Sequence, residues 1–119
     1  MLKRHLGLIS TFAFIGLFAQ SAEAAVACRG QVKTVGLSLG TGVLHADFGY
    51  GVANLCGVDH DAGGMSAKTC EVLHAKLITA QSLSKEVTFY FSDSLGSCAN
   101  LVPWQWPDPA PYYVDIPSS

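Results

Sequence analysis

Basic charge is scarce once the first residues are passed. Beyond residue 24 there are only Arg29, Lys33, Lys68, Lys76 and Lys85, scattered singly, against eight acidic residues, for a net charge near −3. Binding to a phosphate backbone rests on clustered Lys and Arg, so nucleic acid is excluded as an expected partner. Long apolar runs are also missing after residue 24, which excludes a membrane-spanning helix in that part of the chain. There is no G-x-S-x-G, no H-E-x-x-H and no phosphate-cradling glycine loop, so the familiar hydrolase and nucleotide-binding signatures are absent. No two cysteines lie two to four residues apart, the spacing that zinc ligands usually show. No cofactor is expected.

What is present begins with Met1-Leu2-Lys3-Arg4, then an apolar stretch from Leu6 to Ala19 and the small-x-small triplet Ala22-Glu23-Ala24. This is the pattern of a secretory signal cleaved near Ala24, which predicts a secreted or periplasmic product. Residues 25 to 119 then form one domain of 95 residues, too few for two. An alternative cut exists at Ala25-Val26-Ala27-Cys28, which loosely resembles a lipoprotein box but has Ala25 where Leu is usual; it would anchor the chain through a lipid on Cys28. Four cysteines in a short exported chain are expected to pair. Three connectivities are open, and Cys56 with Cys70 plus Cys28 with Cys98 is the favoured one.

Val35, Leu37 and Leu39 alternate across 31–39, and Leu44, Ala46 and Phe48 alternate across 43–48, with His45 and Asp47 on the opposite face. Period two marks strands, and Gly40-Thr41-Gly42 between them reads as a hairpin turn. Residues 52–56 read as a third strand entered through Gly49 and Gly51, and 57–68 as a loop. From 66 to 83 the period changes: Cys70, Leu73, Leu77 and Ala80 recur at helical spacing, with Ser66 or Thr69 as cap and Glu71 in the first turn. Val87, Phe89 and Phe91 restore alternation in 86–92. Residues 93–111 hold four of the five prolines and read as irregular, and 112–116 as a last strand. The expected fold is therefore mainly β with one helix, in the order β-β-β-α-β-β. That is the order of an OB-fold, a five-stranded barrel, here stapled by disulfides; an open antiparallel sheet with a helix on one face is the second expectation.

A strand ending in Cys56, a second cysteine Cys70 before an apolar helix, and Ala80 followed by Val87-Thr88-Phe89-Tyr90 resemble the B subunits of subtilase cytotoxin and pertussis-like toxins. The same residues are similar to those of small exported bacterial proteins of unassigned role. The resemblance to the toxin subunits spans roughly residues 50 to 92, and Val102-Pro103-Trp104-Gln105-Trp106-Pro107 and Pro111-Tyr112-Tyr113-Val114 have no counterpart in it. It implies an exported OB-fold, a ring of five copies and glycan binding.

Trp104 and Trp106 lie two apart between Pro103 and Pro107, so an extended backbone would project both rings to one side. In an OB-fold this stretch joins strands four and five and borders the ligand site. Flat aromatic faces suit a sugar ring, and Gln105, Asp108 and Tyr112 supply hydrogen bonds or further ring surface. The alternative for each Trp is to plug the end of a small barrel. Asp59-His60-Asp61 before Gly63-Gly64 invites a metal, but an EF-hand count from Asp59 puts Gly63 fifth and Cys70 twelfth, where an oxygen ligand belongs. A polar turn-rich loop is the expected reading. His45, His60 and His74 with Ser38, Ser66, Ser94 and Ser97 form no catalytic spacing. The sequence thus points to an exported, non-catalytic binding module for carbohydrate or another cell-envelope ligand. Second stands a protein-interaction subunit, an inhibitor or homo-oligomer component, and last a small hydrolase.

Overall fold

The computed structural model describes residues 25 to 117. The signal expected at residues 1 to 24 lies outside the described residues. Strands β1 (Val26–Gln31), β2 (Thr34–Leu37), β3 (Val43–Asp47) and β4 (Val52–Gly57) precede helix α1 (Ala67–Ser82); β5 (Glu86–Phe91) and β6 (Tyr113–Asp115) follow it. Short 3₁₀ turns at Asp93–Leu95 and Cys98–Asn100 lie between β5 and β6.

The strands form two three-stranded antiparallel sheets, in the orders β1-β5-β6 and β2-β3-β4. The class is mainly β with one helix, but the sheets are not joined into a closed five-stranded barrel, and they are not one open sheet either. The free edge of β4 shows why. It is met by Trp104 and Gln105: the Trp104 N–H donates to Val52 O at 2.6 Å, and the Asn54 N–H donates to Gln105 O at 3.1 Å. Pro103, Pro107, Pro109 and Pro111 surround these two bonds and have no N–H to extend them into a ladder. Strand β6 starts only after the last of these prolines and pairs with β5 alone.

Strand β1 has no counterpart among the expected elements. Its inward positions are Cys28, fully buried, and Gly30, and a glycine contributes no apolar side chain to an alternating pattern. A Cβ on Gly30 would overlap the backbone oxygen of Phe48, so the strand and the end of β3 approach at the distance only glycine permits. The chain then turns through Val32 and Lys33, whose N–H donates to Asp47 O at 2.7 Å, and enters the other sheet as β2. Residues 26 to 37 thereby run through both sheets.

The core lies between the sheets and α1. Leu44, Ala46 and Phe48, Val87, Phe89 and Phe91, and the helix residues Cys70, Leu73, Leu77 and Ala80 are all buried in one cluster. The rings of Phe48 and Phe89 stack at 4.4 Å across the two sheets. A register shift at Leu44/His45 pairs Leu44 with Cys56 but His45 with Asn54. Leu55 is the extra residue of a β-bulge, and this lets Leu55 and Cys56 both be buried while Asn54 turns outward.

Ser66 is the helix N-cap, its Oγ accepting from the Thr69 N–H at 3.1 Å. Asp61 adds a second acceptor for the Ala67 N–H, also at 3.1 Å. Glu71 stands past the first turn, which holds no acidic residue; the carboxylate at this helix end comes from the loop instead. Ser66→Ala is expected to lower stability by about 1 kcal/mol, as loss of a side-chain cap does, measured as a shift of the urea midpoint with unchanged slope.

Both disulfides favoured from the sequence are formed. Cys28–Cys98 ties β1 to the second 3₁₀ turn with Cα atoms 5.7 Å apart, and Cys56–Cys70 ties β4 to α1 at 5.8 Å. Two disulfides are consistent with an extracellular or otherwise oxidising compartment. The Cys28 sulfur, being bonded to Cys98, is not the free thiol that lipid attachment requires. Among the described residues no helix is long and apolar enough to cross a membrane.

Candidate functional site

The residues singled out in the irregular segment occupy three neighbouring places rather than one flat row. Trp104 does not have the extended conformation that would align it with Trp106: its φ is +64°, in the left-handed region where a bulky residue is an outlier. Holding it there costs on the order of 1–3 kcal/mol. Its backbone is pinned to β4 by the bond to Val52, and Pro103 fills the space beside Gly51. The ring is 64% exposed and meets His45 of β3 edge-on, with centroids 5.4 Å apart.

Trp106, 41% exposed, leans on the loop before the helix. A Cβ on Gly63 would come within 2.9 Å of its Cζ3. Neither Trp plugs the interior. Gln105 is exposed, and its carbonyl is engaged by Asn54. Asp108 is exposed between Pro107 and Pro109. Tyr112, 63% exposed, falls in a groove of about 660 Å³ that runs between Gly64–Ser66, Thr69 and Leu73 on one side and Ala110–Val114 on the other. The strap from Pro103 to Tyr113 thus leaves β4 and follows the loop at Gly63 and Gly64 to the start of α1, carrying the four exposed aromatic rings of Trp104, Trp106, Tyr112 and Tyr113 along its length.

Sequence reasoning placed His45 on the outer face of β3 and did not single out Asn54. Their side chains meet, His45 Nδ1 lying 2.8 Å from Asn54 Oδ1 in a partly buried bond. The partner strand offers Gly36 opposite His45, with open space where its Cβ would be. Trp104, His45 and Asn54 form one surface cluster, with a gap beside it at Gly36. The signal available in the sequence was the outward alternation of His45; the bulge that brings Asn54 opposite it has no local signature.

The Asp59-His60-Asp61 segment is a polar loop. His60 Nδ1 lies 2.7 Å from Asp59 Oδ1, and this hydrogen bond, with the attraction of the imidazolium added, holds the Asp59 carboxyl below its ordinary value. Asp61 is turned to the helix N-terminus. Among the described residues no group of three His, Cys, Asp or Glu is placed to hold a metal. The hydrogen bonds of His45 and His60 run to Asn54 and Asp59 rather than to a serine hydroxyl, and Ser66, Ser94 and Ser97 are occupied with a cap, with Ser92 and with the second 3₁₀ turn.

The cluster presents flat apolar rings with an amide and an imidazole at their edge, and the neighbouring backbone is already paired. No protein-family model matches the chain, and no curated protein or solved structure is significantly similar to it.

Proposed function

We propose that this protein is an exported, non-catalytic binding module whose Pro103–Tyr113 strap engages carbohydrate, with Trp104 as the stacking platform. The observation that carries the reading is the state of Trp104, a large aromatic residue kept in a strained backbone conformation and yet left mostly in water. Folding gains little from such a ring, since most of its apolar area is not removed from solvent. Backbone strain that stability does not repay is a recurring property of binding positions. Trp combines a broad apolar face with a polar edge, which matches a pyranose, apolar on its C–H face and hydroxylated around its rim.

The fold reading belongs to the same proposal. One bent strand, 26 to 37, serves both sheets, and the helix lies between the third and fourth strands of the remaining path, as in an OB-type barrel opened along the seam where the strap lies against β4. In barrels of this type the connection before the last strand borders the ligand site.

The experiment is a glycan array probed with the mature protein and with Trp104→Gly. Glycine takes positive φ without strain, but its greater freedom in the unfolded chain and the lost contacts of the buried part of the ring oppose that relief, so Trp104→Gly is expected to keep the melting temperature within a few degrees, a net change under about 1 kcal/mol. Array binding is expected to fall at least about tenfold, or roughly 1.4 kcal/mol. Unchanged glycan binding by a folded Trp104→Gly variant contradicts the reading.

A further inference from the structure

We infer that His45 is the polar contact of the Trp104 platform, accepting a hydroxyl of a neutral pyranose through Nε2, and that Asn54 is the residue that positions it. The inference rests on the carbohydrate reading above and names what that reading lacks, a directional group beside the ring.

Three independent features converge on His45. The first is its hydrogen bond. The carboxamide oxygen of Asn54 faces Nδ1 at 2.8 Å, and a carboxamide oxygen can only accept, so Nδ1 carries the proton. In the neutral imidazole the other nitrogen, Nε2, is then an acceptor, its role fixed by the partner of the first. The second is the bulge. Without the extra residue at Leu55, Asn54 would not stand opposite His45, and bulges commonly re-aim side chains beside functional sites. Asn54 is further held by its own N–H, which donates to Gln105 O, so one residue fixes both the imidazole and the strap that carries Trp104.

The third is the free space. Gly36, directly across from His45 on β2, has nothing within 4 Å of where a Cβ would be. The imidazole therefore has the Trp104 ring and Asn54 as neighbours and an open place on the β2 side. A pyranose lying against the indole would bring a rim hydroxyl to the edge of that ring, where the imidazole stands 5.4 Å from the indole centre. A neutral sugar suits the site because its hydroxyls can donate to Nε2.

The test is an array of neutral and charged oligosaccharides, followed by titration with the methyl glycoside of the neutral terminal sugar best retained. His45→Ala is expected to weaken binding at least about tenfold with the melting temperature preserved. Asn54→Ala should weaken it in the same direction, and Asn54→Asp, which keeps the acceptor, should restore most of the loss. Nitrogen NMR of the neutral His45 imidazole should show the proton on Nδ1 in the wild type and a tautomer mixture in Asn54→Ala, a readout that a merely structural Asn54 would not move. Wild-type affinity in His45→Ala, while Trp104→Gly abolishes binding, overturns this inference and leaves the carbohydrate reading standing. A wild type that retains only charged glycans likewise overturns this inference alone, and one that retains no glycan at all overturns both.

Discussion

Replacing Cys28, Cys56, Cys70 and Cys98 together by Ala is expected to leave this domain unfolded at room temperature. The two bridges close loops with sequence separations of 70 and 14. On chain-entropy grounds the longer contributes about 4 kcal/mol and the shorter about 3 kcal/mol. A domain of about 90 residues has a total stability of roughly 5–14 kcal/mol, so losing both bridges removes half of it or more. Cys28, Cys56 and Cys70 are also fully buried in the core cluster, and each Ala leaves a void where a sulfur was packed. Urea denaturation followed by circular dichroism checks this. The pair Cys28→Ala/Cys98→Ala should shift the midpoint further than Cys56→Ala/Cys70→Ala, and the fourfold variant should show no cooperative transition. A fourfold variant that unfolds cooperatively near the wild-type midpoint would mean that the core alone holds the sheets together.

Gly30→Ala is the second large effect. The added methyl would overlap the Phe48 carbonyl, and both sides of the collision are backbone. Strand β1 is fixed by its ladder to β5 and by the Cys28 disulfide two residues earlier. The Phe48 side is fixed by the stack of its ring on Phe89 and by the Tyr50 hydroxyl, which donates to Arg29 O at 2.8 Å. Neither can yield without parting the sheets, so the cost should reach the upper end for overpacking, about 3 kcal/mol or more. The comparison is Gly36→Ala on β2, where the methyl meets open space and the cost should be under about 0.5 kcal/mol. Equal midpoints for the two variants would contradict the close crossing of β1 and β3.

Much of this architecture was legible in the alternation of residues. Leu44, Ala46 and Phe48 turn inward and His45 and Asp47 outward, as period two requires, because a sheet with one buried face leaves no freedom in which side faces the core. The helix was legible from Cys70, Leu73, Leu77 and Ala80 for the same reason at period 3.6, and its extent, 67 to 82, lies within the expected 66 to 83. What escaped was set by backbone contact between distant segments. Strand β1 was hidden because its inward Gly30 is shaped to fit the chain of Phe48, and the seam at β4 was hidden because two backbone bonds to Trp104 and Gln105 have no side-chain signature. The aromatic strap could be picked out by composition. That Trp104 would turn to a left-handed backbone and meet His45, while Trp106 met Gly63 and Tyr112 reached the groove by α1, depends on how the prolines direct the chain in space.

Two of the features that escaped, the backbone of Trp104 and the bulge at Leu55, fall at the candidate site, where local propensity and the observed conformation disagree. A Trp at positive φ and a bulge opposite His45 are both choices that a sequence optimised for stability alone would avoid, and such conflicts tend to collect where function imposes them.

The most direct measurement is the thermal melt of the wild type and of Trp104→Gly with and without a neutral oligosaccharide in large excess. A ligand bound only by the folded state adds about 2.7 kcal/mol at a hundredfold excess over its dissociation constant, which for a domain of this size raises the melting temperature by several degrees. The account predicts that rise in the wild type and none in Trp104→Gly, with the two proteins melting alike when no sugar is present. The same rise in both, or none in either across the array-selected sugars, would contradict it.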